Sequence, residues 1–85
     1  MLREDVYKLI DGERDYQNSK PPRPKTDEET SVGEWLIYIE HMVNLAKFDV
    51  YQLSEAEALE EIRKIAALAV ACMENNETNP REEIK

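Results

Sequence analysis

Residues 65–73 read IAALAVACM, an unbroken apolar run in a chain of only 85 residues. If the run is helical, it is apolar on every side and has to be covered on every side. These nine residues rise only about 14 Å as a helix, whereas a membrane span needs about 20 residues, so we expect protein rather than lipid to supply the cover. One chain of this length can hardly supply it alone. The run therefore predicts a homo-oligomer and no membrane partner.

Length and residue usage limit the classes of protein that fit this sequence. Its 85 residues allow one small helical domain, residues 1–85, in the size range where a staple or oligomerisation is commonly needed. A single cysteine, Cys72, excludes an internal disulfide, and its place inside the apolar run predicts a packed thiol. No secretion signal is recognisable, so we expect a cytoplasmic protein.

The charge of the chain is −8, from 19 acidic and 11 basic residues. This balance argues against duplex nucleic acid as a partner, because its phosphates bind basic surfaces. Basic residues nevertheless gather within residues 20–25 and again at Arg63 and Lys64. These local clusters leave room for a small anionic ligand.

The spacing of apolar residues, with the positions of the prolines and of the helix-capping residues, predicts an all-α fold. We expect an N-terminal helix in residues 1–19, followed by an extended Pro-rich strap in residues 20–30, because proline lacks an amide donor and disfavours helix before it. Residues 31–50 and 54–75 are predicted to form an antiparallel helical hairpin, since only a short connection joins them. Residues 76–85 form a polar tail. The hairpin and the N-terminal helix are expected to pack into an oligomeric helical bundle.

Two capping boxes mark the starts of the hairpin helices. Ser31 is followed three residues later by Glu34, and Ser54 is followed by Glu57 at the same spacing. In this motif the serine side chain accepts from the amide of the third helical residue and the glutamate reaches back to the cap. Trp35, next to the first box, is interpreted as a core or interface residue rather than a base-stacking platform.

The end of the first helix and the strap form the first candidate site. Arg14 and Tyr16 lie close to Lys20 and Arg23 in the sequence. Together they offer a stacking surface and phosphate donors. In a second, structural interpretation, Tyr16 packs the strap onto the bundle and Arg14 pairs with a neighbouring acid. Both interpretations are kept at this point.

The hairpin helices carry the other candidate residues. His41, the single histidine, is either a structural residue of the second helix or a contact for an anion. The third helix begins with a dense set of charged residues. In one hypothesis, carboxylates of this set and of the second helix form a divalent-metal cluster of Glu40, Glu57 and Glu61. The simpler interpretation is a solvated face in which Glu60 and Lys64 form an ion pair.

Several segments of the chain, in order, resemble a known family. They are ERDYQ, the proline strap, SVGEWL and finally EEIRKIAALAVACME. This order is similar to that of small phage-encoded proteins related to the MazG-like nucleotide pyrophosphohydrolases. The resemblance implies an all-α fold and hydrolysis of nucleoside triphosphates with Mg²⁺. It also places Lys64 where the family has a metal-binding aspartate, which implies a lost or rebuilt metal site because a cation repels Mg²⁺.

The departure at Lys64 suggests a second function. A small helical oligomer with nucleotide-binding ancestry and no intact metal site looks like the sponges with which phages sequester nucleotide immune signals, such as cyclic dinucleotides, in the host cytoplasm. Arg63 and Lys64 would then contact phosphate directly. This hypothesis assigns no catalytic residue and no cofactor, and its nucleotide-binding residues are Arg14, Tyr16, Lys20, Arg23, His41, Arg63 and Lys64.

Three hypotheses from different classes follow from the sequence. We favour a non-catalytic nucleotide-binding protein, which predicts binding without Mg²⁺ and without turnover. The first alternative is a Mg²⁺-dependent nucleoside triphosphate pyrophosphohydrolase that depends on Glu61. The second is a structural or protein-binding helical oligomer, which predicts neither binding nor turnover of nucleotides.

Overall fold

The computed structural model describes residues 1–21 and 25–82, and within them the chain is all-helical. Its elements, in order, are α1 (Arg3–Asn18), a short 3-10 turn (Asp27–Glu29), α2 (Val32–Gln52) and α3 (Glu55–Glu74). The predicted all-α class is confirmed, and no strand occurs in the described ranges. Among these same residues, no helix is both long and apolar enough to cross a membrane.

α3 is the central element, because both other helices pack against it. Leu53 and Ser54 alone separate α2 from α3. All three observed helices begin and end within two residues of the predicted bounds. Helix ends are set by local caps and spacing, which explains this agreement.

The caps of α2 and α3 show the predicted serines in place. Ser31 Oγ accepts from the Glu34 amide at 3.1 Å, and the Ser31 amide donates to Glu34 Oε1 at 3.1 Å, which completes the box. Ser54 Oγ accepts from the Glu57 amide at 3.2 Å. Of the two predicted boxes, only that of Ser31 and Glu34 is complete in the described residues, and Ser54 is a simple N-cap.

The strap contains a turn that the proline pattern did not indicate. Thr26 precedes the 3-10 turn, and both its amide and its hydroxyl donate to Glu29 Oε1, at 3.3 and 2.8 Å. Thr30 is buried and its hydroxyl donates to the Thr26 carbonyl at 2.8 Å. These bonds fold residues 26–30 back on themselves, so this part of the strap is compact instead of extended. The central prolines lie outside the described residues.

Lys25 ties the strap to the start of α2. Its Nζ lies 2.9 and 3.1 Å from the two carboxylate oxygens of Glu34. The bond from Lys25, with those from Ser31, lowers the pKa of Glu34 from 4.5 to about 2. Hydrogen bonds from Thr26 and from Arg14 likewise lower the pKa values of Glu29 and Glu74, respectively. The folded state thus favours the ionised form of all three carboxylates.

We expect acid to destabilise the fold between about pH 4.5 and pH 2. A carboxylate whose pKa is lower in the folded state contributes stability above its unfolded pKa and loses it as pH falls through the folded pKa. The melting temperature is expected to fall by about 5 °C or more over this range. Glu34→Gln keeps a capping side chain but cannot titrate, so its melting curve should depend less on pH. Glu40→Gln, at an exposed carboxylate of the same helix, is the control, and an equal flattening there would contradict this assignment.

The core lies between α2 and α3. Trp35 is 0% exposed and packs with Leu68 and Ala71, and it meets Tyr38 edge-on with ring centroids 6.4 Å apart. Tyr38, Ile39, Met42 and Cys72 are half-buried around this cluster. Trp35 is therefore a core residue, as one of the two sequence interpretations had it, and the Cys72 thiol is packed beside it.

The apolar run of residues 65–73 is covered on one side only. Ala67, Leu68 and Ala71 are buried, whereas Met73 is exposed and the remaining side chains of the run are half-buried. One chain thus buries one side of the run and leaves the other accessible.

Candidate functional site

A cavity of about 530 Å³ opens between the end of α1, the strap, α2 and α3. It falls within the size range of small-molecule sites, about 300–1,000 Å³. Five of the seven residues predicted to bind a nucleotide line it: Arg14, Tyr16, Lys20, His41 and Lys64. The fold therefore brings together side chains from three helices and the strap that are far apart in the sequence.

Tyr16 and Lys20 form the outer edge of the cavity at the end of α1. Lys20 Nζ lies 4.6 Å from the centroid of the Tyr16 ring, and the ring itself is 56% exposed. The Ser19 hydroxyl donates to the Tyr16 carbonyl at 2.6 Å, and the Lys20 amide donates to the Gln17 carbonyl at 3.2 Å. These bonds continue the helix by one tight turn and hold Lys20 over the ring. An aromatic face and an ammonium group are thus presented together at the mouth.

His41 and Lys64 line the cavity from α2 and α3. His41 is exposed, and Lys64 is half-buried. Lys64 Nζ lies 3.5 Å from Glu61 Oε1 on the preceding turn of α3, a long contact between groups three residues apart. The Glu61 side chain is only 15% exposed, so Lys64 has to keep balancing this carboxylate when it contacts an anionic ligand.

Arg14 lines the cavity but is already held by several acceptors. Its Nε and Nη2 donate to the two oxygens of Glu74, both at 3.1 Å, and its Nη1 donates to Asn18 at 3.2 Å. Longer contacts of 3.5 Å reach Gln17 and Asp27. The bond to Glu74 is the main reason why the pKa of Arg14 is raised. Arg14 thus links α1, the strap and α3, as the structural interpretation of this residue requires.

Of the two remaining predicted residues, Arg63 does not line the cavity. Arg63 Nε donates to Glu13 Oε1 at 2.9 Å, and Arg63 also borders a second, apolar groove between α1 and α3. Glu13 is buried, so this ion pair fastens α1 to α3. Arg23 lies outside the described residues, and its predicted role is not addressed by them.

Other residues of the wall were not identified as site residues from the sequence. Gln17 and Asn18 at the end of α1 bring side-chain amides, and Thr26 in the strap brings a hydroxyl. Trp35 and Tyr38 of α2 supply aromatic wall. The helical spacing of Trp35, Tyr38 and Met42 was a usable signal that they share a face, but it could not tell a core face from a cavity wall.

The cavity also carries acidic groups. Glu13, Asp27 and Glu28 line it with the cations. Glu13 is neutralised by Arg63, and Asp27 lies 3.5 Å from Arg14. The cations best placed for a ligand are therefore Lys20, which follows α1, and Lys64 of α3. Such a surface is suited to a planar group joined to an anion.

The alternative metal cluster of Glu40, Glu57 and Glu61 does not assemble within this chain. Over residues 1–21 and 25–82, no three His, Cys, Asp or Glu side chains are grouped to hold a metal ion. Glu61 Oε2 is buried without a hydrogen-bond partner in that part of the chain, but its other oxygen faces Lys64. One free carboxylate oxygen beside an ammonium group does not meet the demands of Mg²⁺, which binds through carboxylates in near-octahedral geometry. The described residues thus do not fit Mg²⁺, and we derive no reaction step through it.

Comparisons with known proteins give no relative from which a function might be transferred. No protein-family model, no curated protein and no solved structure matches this chain.

Proposed function

We propose that this chain binds a nucleotide in the cavity of α1, the strap, α2 and α3 without hydrolysing it. The observation that carries the proposal is the meeting of Tyr16, Lys20, His41 and Lys64 around one cavity of about 530 Å³. The sequence had singled out these residues for ligand chemistry before any contact between them was apparent. Their convergence supports a shared ligand over four separate structural roles.

The chemistry of the wall supports a nucleotide over other small anions. Tyr16 offers an exposed ring on which a base can stack, a contact worth about 1–3 kcal/mol in single-stranded nucleic-acid complexes. Lys20 and Lys64 offer ammonium groups for phosphate, as compact point charges with no geometric demand. Gln17, Asn18 and Thr26 add hydrogen-bonding groups for a base or sugar edge. An inorganic anion would use the lysines only.

The resemblance to phage-encoded proteins extends this proposal to sequestration. A protein that holds a nucleotide signal of the host without converting it lowers the free concentration of that signal. Lys64, at the place of a metal-binding aspartate, fits binding better than hydrolysis, because an ammonium group attracts phosphate and repels Mg²⁺. Cyclic dinucleotides and nucleoside triphosphates are the ligands to be compared.

The proposal includes the antiparallel hairpin of α2 and α3 and its assembly with further copies. Two residues join these helices, and they pack against one another, which is typical of antiparallel neighbours. Many large apolar side chains remain exposed on the single chain, among them Leu36, Phe48, Leu59 and Met73. Association of copies would cover part of this surface.

Calorimetric titration with a panel of nucleotides tests the binding. Mono- and triphosphates and cyclic dinucleotides are titrated in EDTA, and we expect at least one to bind. Lys64→Ala and Lys20→Ala should each raise the dissociation constant of that ligand about tenfold or more, because a hydrogen bond to a charged group is worth about 1.5–3 kcal/mol. Lys47→Ala, at an exposed lysine of α2 outside the cavity, is the matched control.

Three results would argue against this function. If no nucleotide of the panel binds, the structural or protein-binding alternative is favoured instead. If Lys47→Ala weakens binding as much as Lys64→Ala, the ligand does not lie in the cavity. If Mg²⁺ addition releases pyrophosphate, and Glu61→Ala abolishes the release, the protein is the enzyme of the first alternative. Recovery of the unchanged ligand after heating the complex would support binding without turnover.

A further inference from the structure

α2 carries an apolar stripe that its own chain covers only in the middle, where Ile39 packs against the core and Val43 and Ala46 are half-buried. Its residues follow one another in alternating steps of four and three, the heptad spacing of helices that pack side by side. They are Val32, Leu36, Ile39, Val43, Ala46, Val50 and Leu53. Leu36 is 59% exposed, and both ends of the stripe are exposed as well. No charged residue interrupts it, so the stripe continues along the whole of α2.

α3 carries a second stripe with the same spacing. Its members are Leu59, Ile62, Ala66, Ala69 and Met73. Leu59 is 61% exposed, and Ile62 and Met73 are exposed too. The buried residues of α3, such as Leu68 and Ala71, lie between stripe positions in sequence and on another side of the helix. The two alanines at the centre of the stripe allow a close approach of another helix.

The two stripes face the same side of the hairpin. At 100° per residue, the α2 stripe is centred about a fifth of a turn from the core residues Trp35 and Met42, and the α3 stripe about a third of a turn from Leu68 and Cys72. In an antiparallel pair viewed from one end, the two offsets turn in opposite senses about their helix axes. Both stripes therefore lie on the same side of the hairpin. No residue of either stripe lines the ligand cavity, although Leu59, Ile62 and Ala66 also border the apolar groove between α1 and α3. The apolar face and the cavity are therefore separate surfaces.

We propose that a second copy of this chain packs on the face formed by the two stripes, giving a four-helix bundle of two hairpins. Heptad spacing on both helices makes the face self-complementary, because each knob of one copy meets holes of the same pattern in the other. Helices of 21 and 20 residues are about 30 Å long, and neighbouring axes are about 8–10 Å apart. The face thus measures about 30 by 20 Å, or about 600 Å², which is three quarters of the roughly 800 Å² per partner of a standard interface and suits a weak dimer.

This interface refines the homo-oligomer of the proposed function and does not depend on nucleotide binding. The sequence assigned association to the whole run of residues 65–73. The structure divides that run: Ala67, Leu68 and Ala71 are used within the chain, whereas Ala66, Ala69 and Met73 belong to the stripe. α2, which the run does not include, supplies the larger share of the interface. A partner surface inferred from residues 65–73 alone would not include α2.

Light scattering after size exclusion tests the interface on the full chain. We expect the wild type to have the mass of two chains, and Leu36→Glu and Ile62→Glu to have the mass of one, because each places a charge in an apolar interface. The matched control is Ile37→Glu, which changes the neighbouring residue on α2, 66% exposed but off the stripe. It should leave the mass of two chains. A monomeric wild type at 100 μM, taken as the order of concentration for a weak dimer, would overturn the proposal.

Two further results would also overturn the interface. One is a Leu36→Glu variant that keeps the mass of the wild type, and the other is an Ile37→Glu variant that dissociates as readily. If Leu36→Glu loses its helical circular dichroism, Leu36→Ala replaces it and should raise the dimer dissociation constant about tenfold, whereas Ile37→Ala should not. Nucleotide titration of the same variants separates the proposals, because loss of the dimer with intact binding leaves the ligand site supported.

Discussion

Trp35→Ala is expected to lower the melting temperature of the protein by more than about 12 °C. The indole is 0% exposed and contacts Leu68, Ala71 and Tyr38, so alanine leaves a cavity at the centre of the only core in the described residues. Replacing a buried tryptophan by alanine costs about 3–5 kcal/mol. Since 1 kcal/mol shifts the melting temperature of a domain this small by about 4–8 °C, the expected loss is more than about 12 °C. Thermal unfolding followed by circular dichroism measures it.

An exposed aromatic of the same helix provides the control for Trp35. Tyr51 is 84% exposed, so Tyr51→Ala removes a ring of similar size without opening a cavity. Its melting temperature is expected to stay within a few degrees of the wild type. All proteins are compared at one concentration, because association stabilises the fold by mass action. Equal losses for the two variants would show that Trp35 does not fill the core.

Glu74→Ala is expected to destabilise the fold by about 1 kcal/mol. Glu74 is the last residue of α3, where an acidic side chain is unfavourable to the helix dipole and alanine is the better helix former. Local effects therefore predict a small gain in stability. The tertiary structure predicts a loss, because Glu74 accepts two hydrogen bonds from Arg14, whose side chain is only 9% exposed. Hydrogen bonds to charged groups are worth about 1.5–3 kcal/mol.

A double-mutant cycle isolates the contact between Arg14 and Glu74. Arg14→Met, Glu74→Ala and the double variant are unfolded in urea, and the coupling energy is expected to reach about 1–2 kcal/mol, below the value for a fully buried pair because Glu74 is half exposed. The pKa of Glu74 should also rise toward its ordinary value in Arg14→Met, as measured by carboxylate NMR. A coupling energy near zero would mean that the pair adds nothing to the fold. In that case Arg14 would be available to a ligand.

The positions of the two arginines bear directly on the proposed site. Arg14 and Arg63 both entered the set of candidate ligand residues, and each is engaged by a glutamate of another helix. The lysines of the set have weaker partners: Lys20 lies over an exposed ring, and Lys64 lies 3.5 Å from Glu61. In this fold, the guanidinium groups of Arg14 and Arg63 hold the helices together. The proposal assigns the ammonium groups of the two lysines to an anion. Arginine suits the structural role because its planar fork matches a carboxylate at two points.

Local sequence was enough to predict the helices. Ser31 and Glu34 complete a capping box within four consecutive residues, and the observed α2 begins directly after Ser31. Thr26 and Glu29 form a capping box of the same kind. The sequence prediction did not include it, because the prolines before it indicated an extended strap. The candidate site was predicted in part: its cations and Tyr16 were chosen by residue type, but the wall of Trp35 and Tyr38 was not.

The sequence by itself determined the helical class, the helix starts and the excess of apolar surface that calls for a partner, because caps and heptad spacing act within a few residues of each other. Only the tertiary structure decided which charges remain for a ligand. The Arg14–Glu74 and Arg63–Glu13 contacts join residues 60 and 50 positions apart. No local pattern encodes such pairs, since they depend on how three helices pack. The same packing decided which residues of the apolar run are buried and which stay accessible.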